Sequence, residues 1–272
     1  MYEKFWGLNT LPFENTPDPR NFLESEKHVE ALSRLLYAAQ EKKACAILTG
    51  GYGCGKTLVL RRMRFALEPK GYKFSVVTNP RLDDLDMLRM ILRGFTGGEV
   101  PQRKADVLMA LERFLTETAN DGKHSVVVID EGHSITDPAV FEELRLLLNF
   151  QTDTRYLLTL VLAGQSALNA MVDNDPQFNQ RVSVKCDIPP LCSAETAEYI
   201  AYRLKRAGSR QQIFSPEDAE LVAKYSAGIP RWINNICHMT LMNGYLGDSR
   251  KIAPELIVET SESLGRRETV PE

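Results

Sequence analysis

The fold is decided by Gly50-Gly51-Tyr52-Gly53-Cys54-Gly55-Lys56-Thr57, a stretch that matches the phosphate-binding pattern GxxxxGK[ST]. Its four glycines let the backbone curl so that several N–H groups converge on phosphate oxygens, and a following helix N-terminus adds partial positive charge. We expect these eight residues and Leu58 to contact a nucleotide. Lys56 is placed to neutralise the β- and γ-phosphates, and the Thr57 hydroxyl is placed to hold Mg²⁺.

Both flanks of this loop agree with the motif. The preceding residues 44–48 are apolar, as expected of a buried parallel strand. The residues that follow place an apolar stripe on one face of a helix, made of Val59, Leu60, Met63, Ala66 and Leu67. The alternative, a glycine-rich turn followed by an unrelated lysine, does not account for a strand before the loop and a helix after it.

A second motif lies downstream, where residues 125–131 read Ser-Val-Val-Val-Ile-Asp-Glu. A β-branched run of this kind predicts a buried strand, and Asp130 then leaves the carboxyl end of the strand, where open α/β sheets bind ligands. We interpret Asp130 as the Walker B aspartate that supports Mg²⁺. Glu131 can deprotonate a water aimed at the γ-phosphate, which favours hydrolysis over transfer to a second substrate. The alternative is a strand end with two solvated acids.

Strand and helix patterns alternate along the first part of the chain, which predicts an α/β fold with a parallel sheet flanked by helices. One further core strand, residues 156–163, ends at Gly164 and Gln165. From about Pro190 the strand pattern disappears and successive helix patterns predict a C-terminal all-helical lid. We therefore expect an α/β nucleotide-binding domain over residues 1–190, a helical lid over 191–260 and a flexible polar tail over 261–272.

Composition limits the class of protein. The chain has 272 residues, of which 43% are hydrophobic, and a net charge of −3, so no global positive charge indicates a nucleic-acid partner. No apolar run reaches the length of a membrane span, and the first residues lack a signal-peptide pattern. Five cysteines without metal-ligand spacing predict reduced thiols. A cytoplasmic protein without a transmembrane segment is expected.

Several short motifs together resemble a known family. The opening Phe5-Trp6-Gly7-Leu8, then Pro12-Phe13 and residues 16–20 (Thr-Pro-Asp-Pro-Arg), and the helix pattern from His28 to Tyr37, are similar to AAA+ ATPases of the general secretion pathway protein A type. The resemblance spans nearly the whole chain. It implies ATP and Mg²⁺ as ligands, a bacterial origin, and a protein client in envelope or secretion machinery that could hold the chain at the inner membrane.

The same resemblance implies roles for three residues outside the two motifs. Gln165 stands at the sensor 1 position and would help to position the attacking water. Arg181, in the segment Gln180-Arg181-Val182, stands where the family has an arginine finger. A finger must reach the nucleotide of a neighbouring subunit, which implies a ring or helical homo-oligomer of hexamer-like type. Arg231, in Gly228-Ile229-Pro230-Arg231, resembles sensor 2 and would touch the γ-phosphate of its own subunit's nucleotide.

The chain departs from the family pattern in places. Gly51, Cys54 and the pair Gly132-His133 stand where Glu, Thr and Ala-Gln or Ala-His are usual. None of these changes removes a catalytic group. The transmembrane and peptidoglycan-binding regions of the full-length secretion protein lie outside the 272 residues, which puts a direct role in secretin assembly in doubt. His133 is either a reporter of the γ-phosphate or a solvated polar residue after a strand.

Two alternative functions remain open. Arg61, Arg62 and Arg64 on the helix after the phosphate loop would suit an ATP-dependent DNA-binding regulator similar to transposition helper ATPases, although a basic helix face is commonly only solvated. A small-molecule kinase would need a substrate pocket and a mobile catalytic lid, for which the sequence offers no signal. Glu131 also argues against a kinase.

Overall fold

The computed structural model describes residues 1–268. Its contacts divide the chain into two compact units. One unit contains residues 26–51 and 56–188 and holds the sheet. The other combines residues 1–25, the short segment 52–55 and the chain from Pro189 onward, and it is helical.

The sheet unit is built on five parallel strands in the order β2-β3-β4-β1-β5. Their bounds are β1 Cys45–Gly50, β2 Lys73–Val77, β3 Ser125–Ile129, β4 Leu158–Gly164 and β5 Val182–Ile188. Every residue of β1, β3 and β4 is buried, whereas the edge strands β2 and β5 alternate between buried and more exposed positions. The expectation of a parallel sheet flanked by helices is confirmed.

Seven helices belong to the described part of the sheet unit: α1 Glu26–Gln40, α2 Lys56–Leu67, α3 Asp84–Thr96, α4 Lys104–Asn120, α5 Pro138–Leu147, α6 Ala167–Asp173 and α7 Pro176–Asn179. The apolar faces of α3 to α7 form one buried cluster with strands β1 to β4. Helix α2 begins at Lys56, so the phosphate loop ends in a helix N-terminus, as the motif requires.

The strand order explains how distant motifs meet. Strand β4 lies between β1 and β3, so the loops that follow these three strands begin at neighbouring positions on the carboxyl edge of the sheet. These loops carry the phosphate motif, the Asp130-Glu131 pair and Gln165 respectively. Ligands of parallel α/β sheets bind at this edge.

The helical unit contains α8 Ser193–Arg206, α9 Pro216–Ser226, α10 Pro230–Leu246 and α11 Pro254–Ser263. The N-terminal segment packs into its core, where Tyr2, Trp6, Leu8 and Phe13 join the buried faces of these helices. The Trp6 indole N–H donates to the backbone carbonyl of Leu241 at 2.9 Å. The aromatic side chains of residues 1–13 therefore supply apolar surface to the helices.

These contacts differ from the expected boundaries at two points. Residues 1–25 group with the C-terminal helices and not with the nucleotide-binding domain in which the sequence places them. The predicted tail begins at Ser261, whereas α11 extends to Ser263 and Arg266 donates to the Tyr225 carbonyl at 3.1 Å. Residues 269–272 of that predicted tail lie outside the described residues.

Two further expectations concern thiols and membranes. Within residues 1–268 the five cysteines form no disulfide bond, as predicted. Burial raises the pKa of the Cys186 thiol to about 11 and also raises the pKa of the Cys45 and Cys237 thiols, so these three stay protonated. Within residues 1–268, none of the helices combines the length and the apolar character that crossing a bilayer requires.

Candidate nucleotide site

The glycines of the phosphate loop are required by its backbone. Gly53 and Gly55 adopt φ values of 81° and 99°, in the region that side chains rarely enter. At Gly50 a Cβ atom would lie 2.6 Å from the carbonyl oxygen of Ile188 at the end of β5, which no side chain tolerates. The curled form of the loop therefore requires glycine at these three positions.

Lys56 lies inside the loop. Its side chain is buried, and Nζ donates to the carbonyl oxygens of Gly50 at 3.0 Å and Gly51 at 2.9 Å. A buried ammonium needs oxygen partners, and two neutral carbonyls leave its charge uncompensated. The site therefore favours an anion beside Lys56, in agreement with the predicted role of this lysine at phosphates.

Thr57 joins the two motifs across 73 positions of sequence. Its Oγ1 donates to Oδ2 of Asp130 at 2.7 Å. A hydroxyl and a carboxylate oxygen side by side are hard oxygen donors of the kind Mg²⁺ prefers, and Mg²⁺ commonly takes only one or two protein ligands with the rest from phosphates and water. Residues 1–268 contain no cluster of three or more His, Cys, Asp or Glu side chains suited to a metal. The Thr57–Asp130 pair fits Mg²⁺ brought by a nucleotide.

Glu131 occupies a strained turn directly after Asp130. Its backbone is left-handed, with φ 56° and ψ 31°, a conformation that costs a non-glycine residue about 1–2 kcal/mol. Hydrogen bonds hold the turn: the Glu131 N–H donates to Oδ1 of Asp130 at 2.9 Å, and the Ser134 hydroxyl donates to the Glu131 carbonyl at 2.7 Å. The turn places two adjacent carboxylates at the carboxyl edge of the sheet, as the sequence predicts, and leaves the Glu131 side chain 40% exposed.

Gln165 follows β4 and contacts His133 twice. The Gln165 backbone N–H donates to His133 Nδ1 at 3.2 Å, and its side-chain amide lies 3.0 Å from His133 Nε2. The Oε2 atom of Glu131 is 3.6 Å from the same Nδ1. His133 is therefore packed between the predicted sensor 1 residue and the predicted base.

Arg181 and Arg231, the two arginines that the resemblance assigns to nucleotide phosphates, contact side chains of this protein. The Arg181 guanidinium, just before β5, donates to the Asn149 side-chain oxygen at 3.2 Å. In the helical unit, the Arg231 guanidinium carbon stands 4.4 Å from the centroid of the Tyr52 ring, which is a close cation–π distance. A Cβ atom on Gly53 would meet the Arg231 Cβ at 2.9 Å. Arg231 is thus packed against the tip of the phosphate loop.

The remaining residues of the motif differ in exposure. Cys54 is fully buried, Tyr52 is 62% exposed, and Leu58 is half-buried in the first turn of α2. The Cys54 thiol is therefore shielded from solvent.

A family model described as an AAA domain matches residues 39–172, which include both motifs and Gln165. This part of the chain belongs to the AAA family, and the chain as a whole has the AAA+ ATPase fold. It is 36% identical, over 259 residues, to general secretion pathway protein A of Aeromonas hydrophila. That match covers 93% of this chain and 46% of the relative, so the chain spans about half the length of that protein.

Solved structures agree with the AAA+ fold. The ORC2 protein of Aeropyrum pernix superposes with a TM-score of 0.72 at 18% identity, covering 96% of this chain and 73% of that one. The RuvB branch migration motor of Thermotoga maritima gives 0.63 at 21% identity, covering 94% and 74%. At these identities the similarity establishes the fold of this AAA+ chain, including a parallel sheet followed by C-terminal helices.

Three contacts of this AAA+ site were missed by the sequence reasoning. These are His133 with Gln165, Asn149 with Arg181, and Tyr52 with Arg231. Only the contact between His133 and Gln165 had a signal in the sequence. His133 is a polar residue two positions after Glu131, in the turn that follows β3, and this turn lies beside the end of β4. The other two depend on tertiary contacts that no motif specifies.

Proposed function

We propose that this AAA+ chain binds ATP with Mg²⁺ at residues 50–58 and hydrolyses it. The observation that supports this most is the 2.7 Å hydrogen bond between Thr57 and Asp130, because it brings together the two motifs that a metal-bound triphosphate requires. Mg²⁺, when bound there, neutralises charge on the phosphates and orients them. Thr57 and Asp130 would hold that ion.

The chain's own residues divide the remaining work. Lys56 neutralises phosphate charge in place of its present contacts with the Gly50 and Gly51 carbonyls. Glu131 accepts the proton of the attacking water as general base. Gln165 and Arg231 act on the reacting phosphate as sensor residues, an assignment that rests on their positions in the AAA+ fold.

Hydrolysis, as opposed to transfer, is tested by leaving out any acceptor. The purified protein is expected to release inorganic phosphate from ATP in buffer that contains Mg²⁺ and no second substrate, since Glu131 activates water. A phosphate-release assay with and without EDTA measures this. A chain that binds ATP and releases phosphate only when an alcohol or amine substrate is added would contradict hydrolysis and favour a kinase.

We further propose that the active form is a homo-oligomer of ring or helical type in which Arg181 reaches a neighbour's nucleotide. Two features support this. Arg181 stands at the finger position of the AAA+ template, and its guanidinium donates a hydrogen bond to the neutral side-chain oxygen of Asn149. A partner so weakly bound can be exchanged for a phosphate at little cost.

Arg181→Ala is expected to lose turnover and to regain part of it when mixed with a hydrolysis-deficient Glu131→Gln protein. In mixed oligomers, an Arg181→Ala subunit keeps its own Glu131 while its neighbour supplies the missing arginine. Phosphate release across a series of mixing ratios measures this. Arg113→Ala is the matched control, because Arg113 is an exposed arginine on α4 whose loss should leave turnover unchanged. Failure of the mixture to exceed the sum of its components would count against an intersubunit role.

The client of the motor is proposed from its relative. The 36% identity to general secretion pathway protein A supports a protein partner in a cell-envelope or secretion complex, whose assembly the hydrolysis cycle drives or times. Such a partner would place this chain in the cytoplasm at the periphery of the inner membrane.

DNA as the partner has less support. Arg64 forms an ion pair with Glu68 at 2.6 Å, and the Arg62 guanidinium lies 5.7 Å from the centroid of the Phe65 ring. Two of the three arginines that suggested nucleic-acid binding thus contact side chains on α2 or directly after it. We therefore put forward the protein client alone.

A further inference from the structure

We propose that His133 is a positioning residue that fixes which end of the Gln165 carboxamide is offered to the nucleotide. The inference rests on the proposed function, because it concerns the residue expected to sense the γ-phosphate. It follows from the two hydrogen-bonding contacts between these residues and from the chemistry of a neutral imidazole.

The first contact fixes the tautomer of His133. The Gln165 backbone N–H can only donate, and it points at His133 Nδ1 from 3.2 Å. Nδ1 must therefore accept, with its lone pair unprotonated. A neutral imidazole carries one proton, so that proton is on Nε2.

The second contact then fixes the orientation of the Gln165 amide. The Gln165 atom placed 3.0 Å from His133 Nε2 is the amide nitrogen Nε2, which would set two donors against each other once the imidazole proton is on His133 Nε2. The acceptor Oε1 therefore has to take that position. The oxygen and nitrogen of a carboxamide exchange positions by a half-turn, and the hydrogen-bond network decides between them. With Oε1 bound to His133, the Gln165 NH₂ group is the end left for another partner.

This orientation gives Gln165 a specific role. An NH₂ group donates, so it can bind an oxygen of the γ-phosphate or the oxygen of the attacking water, but it cannot take up a proton. The acceptor for the water proton is then Glu131 alone. Gln165 contributes by stabilising negative charge on phosphate, and His133 keeps it from presenting its carbonyl, which would repel that charge.

The packing around His133 shows that its position is built into the fold. A Cβ atom on Gly164 would lie 3.1 Å from the His133 backbone nitrogen and 3.2 Å from Nδ1. A Cβ on Gly132 would lie 3.4 Å from the Ala163 carbonyl oxygen. The distance at Gly132 is an ordinary contact, whereas glycine at position 164 lets the turn after β3 lie against the end of β4, where His133 reaches both contacts of Gln165.

The tautomer is open to direct measurement in the wild-type protein. Nitrogen-15 NMR of the imidazole side chains distinguishes protonated from unprotonated ring nitrogens. The chain has four histidines, so the His133 signals are assigned by their loss in His133→Asn. We expect unprotonated Nδ1 and protonated Nε2. A proton on Nδ1 would overturn the proposal, since Nδ1 could then no longer accept from Gln165.

A double-mutant cycle tests the functional link. His133→Ala and Gln165→Ala are each expected to lower kcat about tenfold or more, with KM and melting temperature nearly unchanged, because both variants lose the oriented amide. Combining them should cost no more than the larger single effect. His133→Gln, whose amide N–H can replace Nε2–H, should recover part of the loss. Additive single effects would overturn the proposal.

Glu131→Gln separates this inference from the proposed function. If Glu131→Gln lowers turnover while His133→Ala does not, hydrolysis at this site stands and the role of His133 fails. If Glu131→Gln leaves turnover intact, the proposed function itself fails.

Discussion

Replacing Glu131 with Gln is expected to lower ATP turnover by about 10²-fold or more while leaving ATP affinity nearly unchanged. The substitution keeps the size of the side chain and removes its ability to accept a proton. The strained turn is held by backbone and Asp130 contacts that do not use the Glu131 carboxylate, so it should persist. Steady-state phosphate release gives kcat, and titration with a fluorescent ATP analogue gives the affinity.

Glu142→Gln is the matched control for this variant. Glu142 is a half-exposed carboxylate on α5 that pairs with Arg145, and its neutralisation removes one negative charge without touching the site. Its turnover should stay close to that of the wild type. Equal losses in both variants would indicate a general effect of charge and would contradict a specific base at Glu131.

The second large effect is expected from Lys56→Ala, which should weaken ATP binding itself. A charge-assisted hydrogen bond contributes about 1.5–3 kcal/mol, which corresponds to a loss of affinity of about 10- to 100-fold. The Gly50 and Gly51 carbonyls would also lose their shared donor, so the empty loop should loosen. The nucleotide-dependent rise in melting temperature measures the loss, because a ligand that binds only the folded state stabilises it by RT ln(1 + [L]/Kd), which falls as the affinity falls.

Lys70→Ala serves as the comparison for Lys56. Lys70 is an exposed lysine shortly after α2 and outside the motif. Its replacement by alanine removes the same charge from the chain. Its ATP-dependent stabilisation should match that of the wild type. If Lys56→Ala kept the full stabilisation by ATP, the phosphate loop would not be the nucleotide site.

Local chemistry explains why the central site was predictable from sequence. Phosphate binding requires a backbone curl, a lysine and a hydroxyl within eight residues, so the spacing of Gly50, Lys56 and Thr57 predicts that they bind a phosphate and its metal. The β-branched run before Asp130 likewise predicts both a strand and the edge at which it ends. The structure confirms the pairing of these motifs through the Thr57–Asp130 hydrogen bond.

Other features depended on weaker or longer-range signals. Helix α3 was not predicted, although Asp83 caps it and its buried residues Met87, Leu88, Ile91 and Leu92 follow a helical period. That signal was present in the sequence and was overlooked. The grouping of residues 1–25 with the C-terminal helices had no local signal, because Trp6 meets its partner Leu241 across 235 positions. Motif spacing does not encode such contacts.

A crystal structure of Glu131→Gln grown with ATP and Mg²⁺ shows directly where the triphosphate and its metal bind. The variant should retain unhydrolysed ATP. We predict phosphate oxygens at Lys56 Nζ and a metal ion bound by Thr57 Oγ1 on the side of Asp130. ATP bound away from residues 50–58, or a metal that touches neither Thr57 nor Asp130, would contradict the account.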